Sequence, residues 1–544
     1  MKLNLYKSVA LCSLLALAGC HDFEEMNTNP NAPVYDPSVM DCGPEGIDID
    51  YTISESALES LKATESALGS IFFNFTYEGL YNDYQTATNL THDVYAAYNG
   101  SNGFLNNSPA YAYNDGWSAA RWKHFYDDRT IAEYSQLIKT FWFCNKEYYH
   151  NAFYITRIYY AFLLSAQTDT YGDIPIQYYV KGAMPPTENV TYTPQKEVYD
   201  IIFKLLDQAI TGLHNPPAVD QYSFSAEDDR IYGGKVEPWI RFANTLRLRL
   251  ALRVSNVAPE VAREQGEKAL SDPSGLMKGQ EDNMKLIPKR QWITGGNENI
   301  FALMFSWGAS CVLPKEMEWA YKNQALKEGV DANASGFVEK VARNADEEGT
   351  IFGLDATKYN EKEANCYLDP RCKILFFRPS PYDPGIKDDY KAEDPNAEYG
   401  GYRNGAKEVG SKYTVKYSPM KTNLKSDEML PDCWWNQARE IVWLGYSESL
   451  FLRAEAALRG WGNETGTAVA GRLYEDGVRA SMDYYGIASD KAEEYIDHLE
   501  GKKAFKEGGS REEQLEQIIT QKWLAVYPNG NDCLLYTSPS PRDC

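Results

Sequence analysis

The sequence predicts a mainly helical protein in which helix pairs bracket one large irregular insert. Apolar residues recur every three or four positions in several long segments, which is the spacing of a helix that buries one face. Strand patterns are few and short by comparison. Between about residues 275 and 440, glycine, proline and aromatic residues interrupt any regular period, so this stretch is predicted to be the irregular insert.

Each predicted helix follows from this spacing and from local start signals. Thr193-Pro194 marks the start of one helix, and Ser510 with Glu513 three residues later forms a capping box for the last one. Residues 85–116 are rich in Asn, Tyr, Gly and Ser, which predicts a long loop. Helices are expected at about 54–84, 117–141, 146–167, 196–213, 235–255, 442–459, 467–485 and 511–526.

The first twenty residues predict export and lipidation. Lys2 and Lys7 precede an apolar run from Val9 to Ala18, which is too short to span a bilayer because a span needs roughly 20 apolar residues. The run ends at Leu17-Ala18-Gly19-Cys20, the pattern of a lipobox; an ordinary signal peptide that contains a cysteine is the alternative. We therefore predict a signal peptide at 1–19 and a lipid on Cys20 that anchors the chain to a membrane.

The two ends of the mature chain are predicted to lie outside the packed domain. Residues 20–50 are acidic and then rich in turn formers, which indicates a flexible tether. Residues 533–544 look like translated adapter sequence and are interpreted as a non-native tail that replaces the natural C-terminus; a genuine short tail is the alternative. The folded domain is expected at 51–532.

Composition restricts the class of partner. The formal net charge is −23, and removal of residues 1–19 takes away two lysines and lowers it to −25, so an anionic nucleic acid is an unfavourable partner. Forty tyrosines and twelve tryptophans supply rings with a polar handle, which suit both buried positions and wet binding surfaces. Cys366 and Cys372 flank a predicted turn and are the best candidate disulfide, whereas no CxxC spacing supports a zinc site.

No sequence motif predicts catalysis. The chain has no HExxH pair, GxSxG elbow, Walker loop or GxGxxG. The acidic pairs Asp127-Asp128 and Asp228-Asp229 could bind calcium or act as glycosidase carboxylates, but solvated surface charge is the favoured interpretation. Arg249 and Arg253 share a helix face with Arg247 nearby, and a structural ion-pair role is favoured over an anion site. No cofactor is therefore predicted, and calcium is left open.

Several motifs occur in one order along the chain: Arg157–Phe162, Asp169–Pro175, Tyr192–Gln195, Tyr232–Trp239, Phe242–Ala251, Asp369–Arg371, Ala454–Trp461 and Gln521–Ala525. Together they resemble the SusD/RagB family of nutrient-binding outer-membrane lipoproteins. By themselves these motifs describe a scaffold, because Gly172 and Pro175 stop a helix while Trp239 and Phe242 are placed to enter the core. The acidic residues after Cys20 also resemble the surface-export signal of Bacteroidetes lipoproteins.

The resemblance implies a fold, a role and a partner. The fold would be a TPR-like helix-pair scaffold that carries a less regular ligand-binding insertion. The role would be to capture a glycan, oligosaccharide or peptide at the cell surface, without catalysis. The partner would be a SusC-like TonB-dependent transporter in the outer membrane, over which the lipoprotein sits as a lid.

Candidate ligand residues are aromatic or amide side chains in polar, irregular segments. Sugars present apolar ring faces to aromatic side chains, while amide groups bond to hydroxyls. For every candidate the alternative is a buried core position. The candidates are Tyr95, Tyr98 and Asn99 in the first long loop, and Trp292, Trp307 and Trp434 in the insert.

Two other functions remain open from the sequence. A surface glycoside hydrolase lipoprotein would need a converging pair of carboxylates at the base of an aromatic cleft. A subunit that only stabilises a transporter would have a flat surface and no ligand. Fold alone does not separate these functions.

Overall fold

The computed structural model describes residues 46–81, 86, 88, 91–100, 113–128, 130–183, 185, 190–286, 312–323, 326–331, 336–339, 358–379, 396–401, 420, 439–501 and 504–530. Four predicted features lie outside these residues: the signal peptide, the lipidation site Cys20, most of the tether and the tail. In the part that is described, no helix is both long enough and apolar enough to cross a membrane.

Helices dominate the described residues, and the strands are short. The α-helices are α1 Glu55–Ala63, α2 Leu68–Tyr81, α3 His92–Tyr95, α4 Asp115–Ser118, α5 Ala120–Lys123, α6 Thr130–Asn145, α7 His150–Tyr171, α8 Gln195–His214, α9 Val236–Arg253, α10 Pro259–Ser271, α11 Lys315–Asn323, α12 Pro370–Leu375, α13 Tyr446–Arg459, α14 Thr467–Tyr484, α15 Ser489–Asp497 and α16 Arg511–Ala525. The strands are β1 Met284–Leu286, β2 Phe337–Glu339, β3 Lys358–Asn360 and β4 Ile441–Leu444.

Successive long helices pack in pairs. Helix α7 packs against α8, α9 against α10, and α13 against α14, and α16 packs against both members of the last pair. Each of these helices turns an apolar stripe toward its neighbour, as helical periodicity requires. The predicted mainly helical, helix-pair scaffold is confirmed.

A two-stranded antiparallel pair joins the two ends of the insert region. Strand β1 pairs with β4, with Met284 opposite Leu444 and Leu286 opposite Ile441. The segment predicted as the start of the helix at 442–459 is therefore a strand, and the helix itself begins at Tyr446. Ile441 and Leu444 are buried in this strand. The prediction was wrong here because a short apolar run in a sequence fits a strand as well as a helix.

Two other predicted helices are broken in the structure. The helix expected at 54–84 divides at Thr64, whose backbone N–H turns back to Leu61, so α1 and α2 are separate helices. The helix expected at 117–141 becomes two short turns, a π-helix at His124–Asp128, and α6. The backbone N–H of Trp122 donates to the Tyr171 hydroxyl at 3.0 Å, which offers this N–H a partner outside the helical ladder.

The core is rich in aromatic rings, and the carboxylate of Asp229 is buried among them. Trp239 and Phe242 are both fully buried, as predicted. Asp229 is also fully buried and accepts the Trp239 Nε1–H at 2.8 Å and the Gly234 N–H at 2.8 Å. The expectation that Asp228-Asp229 forms surface charge is wrong for Asp229, because its oxygens organise the turn that starts α9.

Buried ion pairs connect the helices, which confirms the structural interpretation of the arginines on α9. Arg249 forks onto Glu448 of α13 at 2.9 and 2.6 Å and also donates to the Trp443 carbonyl at 2.8 Å. Arg253 pairs with Asp169 of α7. Both pairs lie almost entirely out of solvent, so their geometry holds α9 in register with its neighbours.

A further buried ion pair, between Asp369 and Arg371, holds the insert against the scaffold. Arg371 forks onto Asp369 at 3.0 and 2.6 Å, and neither side chain has exposed surface. The same guanidinium donates to Gln521 of α16 at 2.7 Å and to Ser481 of α14 at 3.0 Å. The Asp-Pro-Arg motif is therefore the point at which the insert is held to the C-terminal helices.

The predicted disulfide does not form. Cys366 and Cys372 are both buried free thiols. The Cys366 Sγ lies against the Glu363 carbonyl, whereas Cys372 sits inside α12 and packs into the main core. The helix that begins at Pro370 thus places the two cysteines in different surroundings, which was not readable from their spacing.

Replacement of Arg371 by leucine is expected to lower the free energy of unfolding by about 3–5 kcal/mol, because it leaves Asp369 buried without its partner. Urea denaturation would measure this change. The matched control is Arg263→Leu, which removes an exposed ion pair with Glu267 and is expected to cost less than about 1 kcal/mol. Equal losses in the two variants would contradict the role given to Arg371.

Lys522 is expected to make stability depend on pH in the alkaline range. Burial lowers the pKa of its amine from the ordinary 10.5 to about 8. The negative charges of Glu455 and Glu448 act in the opposite direction and raise the pKa, but by less than burial lowers it. Between pH 8 and 10 the unfolded chain therefore keeps a proton that the folded chain has lost, so this residue makes stability rise with pH, by at most about 1.4 kcal/mol per pH unit.

The test compares urea denaturation of the parent, of Lys522→Met and of the exposed-lysine control Lys204→Met at several pH values from 7 to 9.5. The parent and the control should gain stability relative to Lys522→Met across this range. A pH dependence that is identical in all three proteins would refute the assignment.

Candidate functional site

A row of partly exposed aromatic rings lies along one face of the scaffold. Trp122 and Tyr192 are stacked, with ring centroids 5.7 Å apart and planes at 13°. Tyr192 keeps 54% of its surface exposed. Tyr171 meets Trp122 edge-on, and Tyr126 lies against Trp122 on one side and Tyr179 on the other. We call these five residues the aromatic platform.

The Tyr-Gly-Asp-Ile-Pro motif builds this platform. Helix α7 ends at Tyr171 because Gly172 adopts a φ of 79°, which side chains rarely tolerate. The next residues bring Ile174 into a bridge with Thr193, which sets Tyr192 beside the end of α7. Asp173 then accepts the Gln195 N–H at 2.8 Å at the start of α8.

Hydrogen bonds fix the platform rings in place. The Tyr171 hydroxyl donates to the Ser118 carbonyl at 2.7 Å while it accepts from the Trp122 backbone. The Tyr126 hydroxyl donates to the Pro175 carbonyl at 3.1 Å, and burial raises its pKa well above the ordinary 10. Hydrogen bonds therefore hold the Tyr171 and Tyr126 hydroxyls in place, and the Tyr126 hydroxyl is neutral at physiological pH.

A second feature is the segment of residues 91–100, which we call the Tyr95 loop. Tyr95 ends the short helix α3 and is partly exposed, and partial burial raises its pKa. Tyr98 and Asn99 have no exposed surface. The Tyr98 hydroxyl donates to the Trp523 carbonyl and its ring stacks on the Trp523 ring, so the structure does not offer Tyr98 or Asn99 to a ligand.

The Tyr95 loop is connected to both the platform and the insert. Arg121, the neighbour of Trp122, donates to the Thr88 hydroxyl at 3.0 Å just before the loop. At its other end, Gly100 exchanges two backbone hydrogen bonds with Val312, at 2.9 and 3.0 Å. These contacts connect the chain before the Tyr95 loop to α5, which carries Trp122, and the end of the loop to Val312.

Four of the predicted ligand residues stay untested, and three partly exposed platform residues were not predicted. Trp292, Trp307 and Trp434 lie outside the described residues and stay predictions, as does the contact of Tyr95 with a ligand. Sequence reasoning missed Trp122, Tyr171 and Tyr192 as surface residues. Two of these were present in motifs interpreted only as helix stop and start signals, and sequence alone does not show which rings remain exposed.

The described residues contain no group of three or more His, Cys, Asp or Glu side chains placed to hold a metal ion. The rings and hydroxyls of the platform supply stacking and neutral hydrogen bonding. Such a surface suits a ligand with both apolar faces and hydroxyl groups.

Comparison with known families identifies the class of protein. A family profile described as Susd and RagB outer membrane lipoprotein matches residues 49–312. A second profile, described as Starch-binding associating with outer membrane, matches residues 315–533. The two matches follow one another along nearly the whole folded chain, and the protein belongs to the SusD/RagB family of outer membrane lipoproteins.

Solved structures agree with this assignment at the level of the fold. A SusD homologue from Parabacteroides distasonis is 23% identical, with a TM-score of 0.64 over 86% of this chain and 84% of that chain. A chitin-binding SusD homologue from Flavobacterium johnsoniae is 24% identical, with a TM-score of 0.61 over 88% and 85%. A search of curated protein sequences found no match.

Proposed function

We propose that this outer-membrane protein captures glycans on the aromatic platform at the cell surface and delivers them to a SusC-like TonB-dependent transporter. The observation that supports it most directly is the stacked pair of Trp122 and Tyr192, which leaves more than half of the Tyr192 surface open. A ligand that covers these rings would gain affinity, because removal of apolar surface from water lowers the free energy.

The ligand class follows from the chemistry of the platform and from charge. Sugar rings carry C–H faces that stack on aromatic rings, and their hydroxyls can bond to the polar groups at the rim. The net charge of −25 after removal of the signal peptide would repel uronic or sulfated polymers, which favours an uncharged glycan. A relative described as chitin-binding and a family profile described as starch-binding support the same class.

We propose binding without cleavage of the glycan. The rings of the platform offer no acid or base near neutral pH, as the raised pKa of Tyr126 illustrates. The two carboxylates nearest in sequence to Tyr171 are both engaged, because Asp173 caps α8 and Asp169 pairs with Arg253. The proposed role requires no cofactor, and the sequence leaves calcium open.

The role also requires an anchor and a partner. We propose that Cys20 carries the lipid that holds the protein at the outer membrane, and that the tether of residues 20–50 lets the folded domain sit over the mouth of the transporter. The lipobox and the acidic residues that follow it support this arrangement.

Removal of either stacked ring is expected to weaken glycan binding about tenfold, equivalent to about 1.4 kcal/mol. Calorimetry on the purified protein in mild detergent would compare the parent with Trp122→Ala and Tyr192→Ala, using chitohexaose, maltoheptaose, xylohexaose and polygalacturonate as probes. The control is Tyr148→Ala, which removes a ring 39% exposed that is not part of the platform.

Each mixture is also analysed for sugar products. Saturable binding of a neutral glycan, lost in the two platform variants and kept in the control, is the expected result. Product release would overturn the proposal in favour of a surface glycoside hydrolase. A folded parent that binds none of the probes would favour a subunit that only stabilises a transporter.

Replacement of Cys20 by serine is expected to move the protein from the outer-membrane fraction to the soluble fraction, because the lipid on Cys20 is the proposed membrane anchor. Tagged parent protein extracted from outer membranes in mild detergent should copurify with a TonB-dependent transporter. A Cys20→Ser variant that still sediments with membranes, or a parent that emerges without any transporter, would contradict the corresponding half of this arrangement.

A further inference from the structure

We propose that residues 523–530, here called the C-terminal segment, hold the Tyr95 loop in position and thereby set the affinity for ligand at that surface. The inference about affinity rests on the proposed function, whereas the inference about position rests on contacts alone. Trp523 is the last buried ring of α16, and the segment continues from it to Gly530.

Three hydrogen bonds join the C-terminal segment to the Tyr95 loop. The Trp523 Nε1–H donates to the Ala96 carbonyl at 3.1 Å, and the Tyr98 hydroxyl donates to the Trp523 carbonyl at 2.5 Å. The Gly530 N–H donates to the Asp93 Oδ1 at 2.7 Å. Buried bonds of this kind are expensive to leave unmade, so the two segments are held together as one unit.

Ring packing and close backbone contact reinforce these bonds. The rings of Tyr98 and Trp523 are stacked, with centroids 5.9 Å apart, and Tyr527 meets Tyr98 edge-on at 5.2 Å. Gly530 lies so close to the loop that an added Cβ would fall 2.5 Å from the Asp93 Cα. Only a residue without a side chain fits at this contact.

The backbone of the loop shows that it is held by its surroundings. Ala97 has a φ of 55°, a left-handed conformation that costs an L-residue about 1–2 kcal/mol. Such a conformation persists where neighbouring contacts over-determine it. Here Ala97 is flanked by Ala96 and Tyr98, the two residues that bond to Trp523.

The consequence for binding follows from the position of Tyr95. Tyr95 immediately precedes Ala96, so the bond from Trp523 to the Ala96 carbonyl fixes the end of α3 from which the Tyr95 ring projects. A loop that is already ordered loses less conformational entropy when a ligand binds. Trp523 is therefore a positioning residue that acts on the ligand through Tyr95.

Hydrogen exchange on the full protein tests the positioning without any ligand. Trp523→Phe removes the indole donor and keeps a ring, Tyr98→Phe removes the hydroxyl donor, and Gly530→Ala forces the contact apart. Amides of residues 91–100 should exchange about tenfold faster in each variant. The control is Gly508→Ala, where an added Cβ meets nothing within 4 Å and exchange should not change. Unchanged exchange in Trp523→Phe and Tyr98→Phe would overturn the positioning role.

A double-mutant cycle with chitohexaose separates positioning from general loss of structure. Trp523→Phe should weaken binding about threefold or more in the parent and have no further effect in the Tyr95→Ala background. Equal losses in both backgrounds, or no loss in either, would overturn the link to affinity. If the parent itself does not bind chitohexaose, the link to affinity fails for this glycan, and the exchange result still decides whether the segment holds the loop.

Discussion

The buried ion pair between Asp369 and Arg371 determines how the insert and the helical scaffold meet. Its guanidinium reaches Gln521 on α16 and Ser481 on α14, so one side chain fixes the insert against two helices at once. Helix α16 then leads into the segment that packs on the Tyr95 loop. The position of the Tyr95 loop thus depends, through α16, on an ion pair that has no contact with solvent.

Charge serves two different purposes in this protein. Inside, Arg249 with Glu448 and Arg253 with Asp169 align helices, because a buried pair tolerates little change in geometry. Over the whole sequence, acidic residues outnumber basic ones, and this negative charge disfavours the binding of polyanions. The aromatic platform uses neither kind of charge. Its neutral rings suit the uncharged, hydroxyl-rich ligand that we propose.

Much of the scaffold was predictable because helical periodicity and capping are local properties. The helices at Gln195–His214 and Arg511–Ala525 agree with prediction to within a residue or two, and the capping box at Ser510 forms as expected. Exposure was not predictable, since it depends on which distant segment covers a residue. Tyr98 was expected at a binding surface and is covered by Trp523, more than 400 positions away in sequence, whereas Tyr192 was read as part of a start signal and is exposed.

The most direct test of the account is a crystal structure of the protein with a bound neutral oligosaccharide. The account predicts electron density for a sugar ring stacked on the exposed side of the Trp122–Tyr192 pair, with the chain of the glycan extending toward Tyr95. Density for the glycan on another face, with the platform left uncovered, would contradict the assignment of this surface as the site of capture.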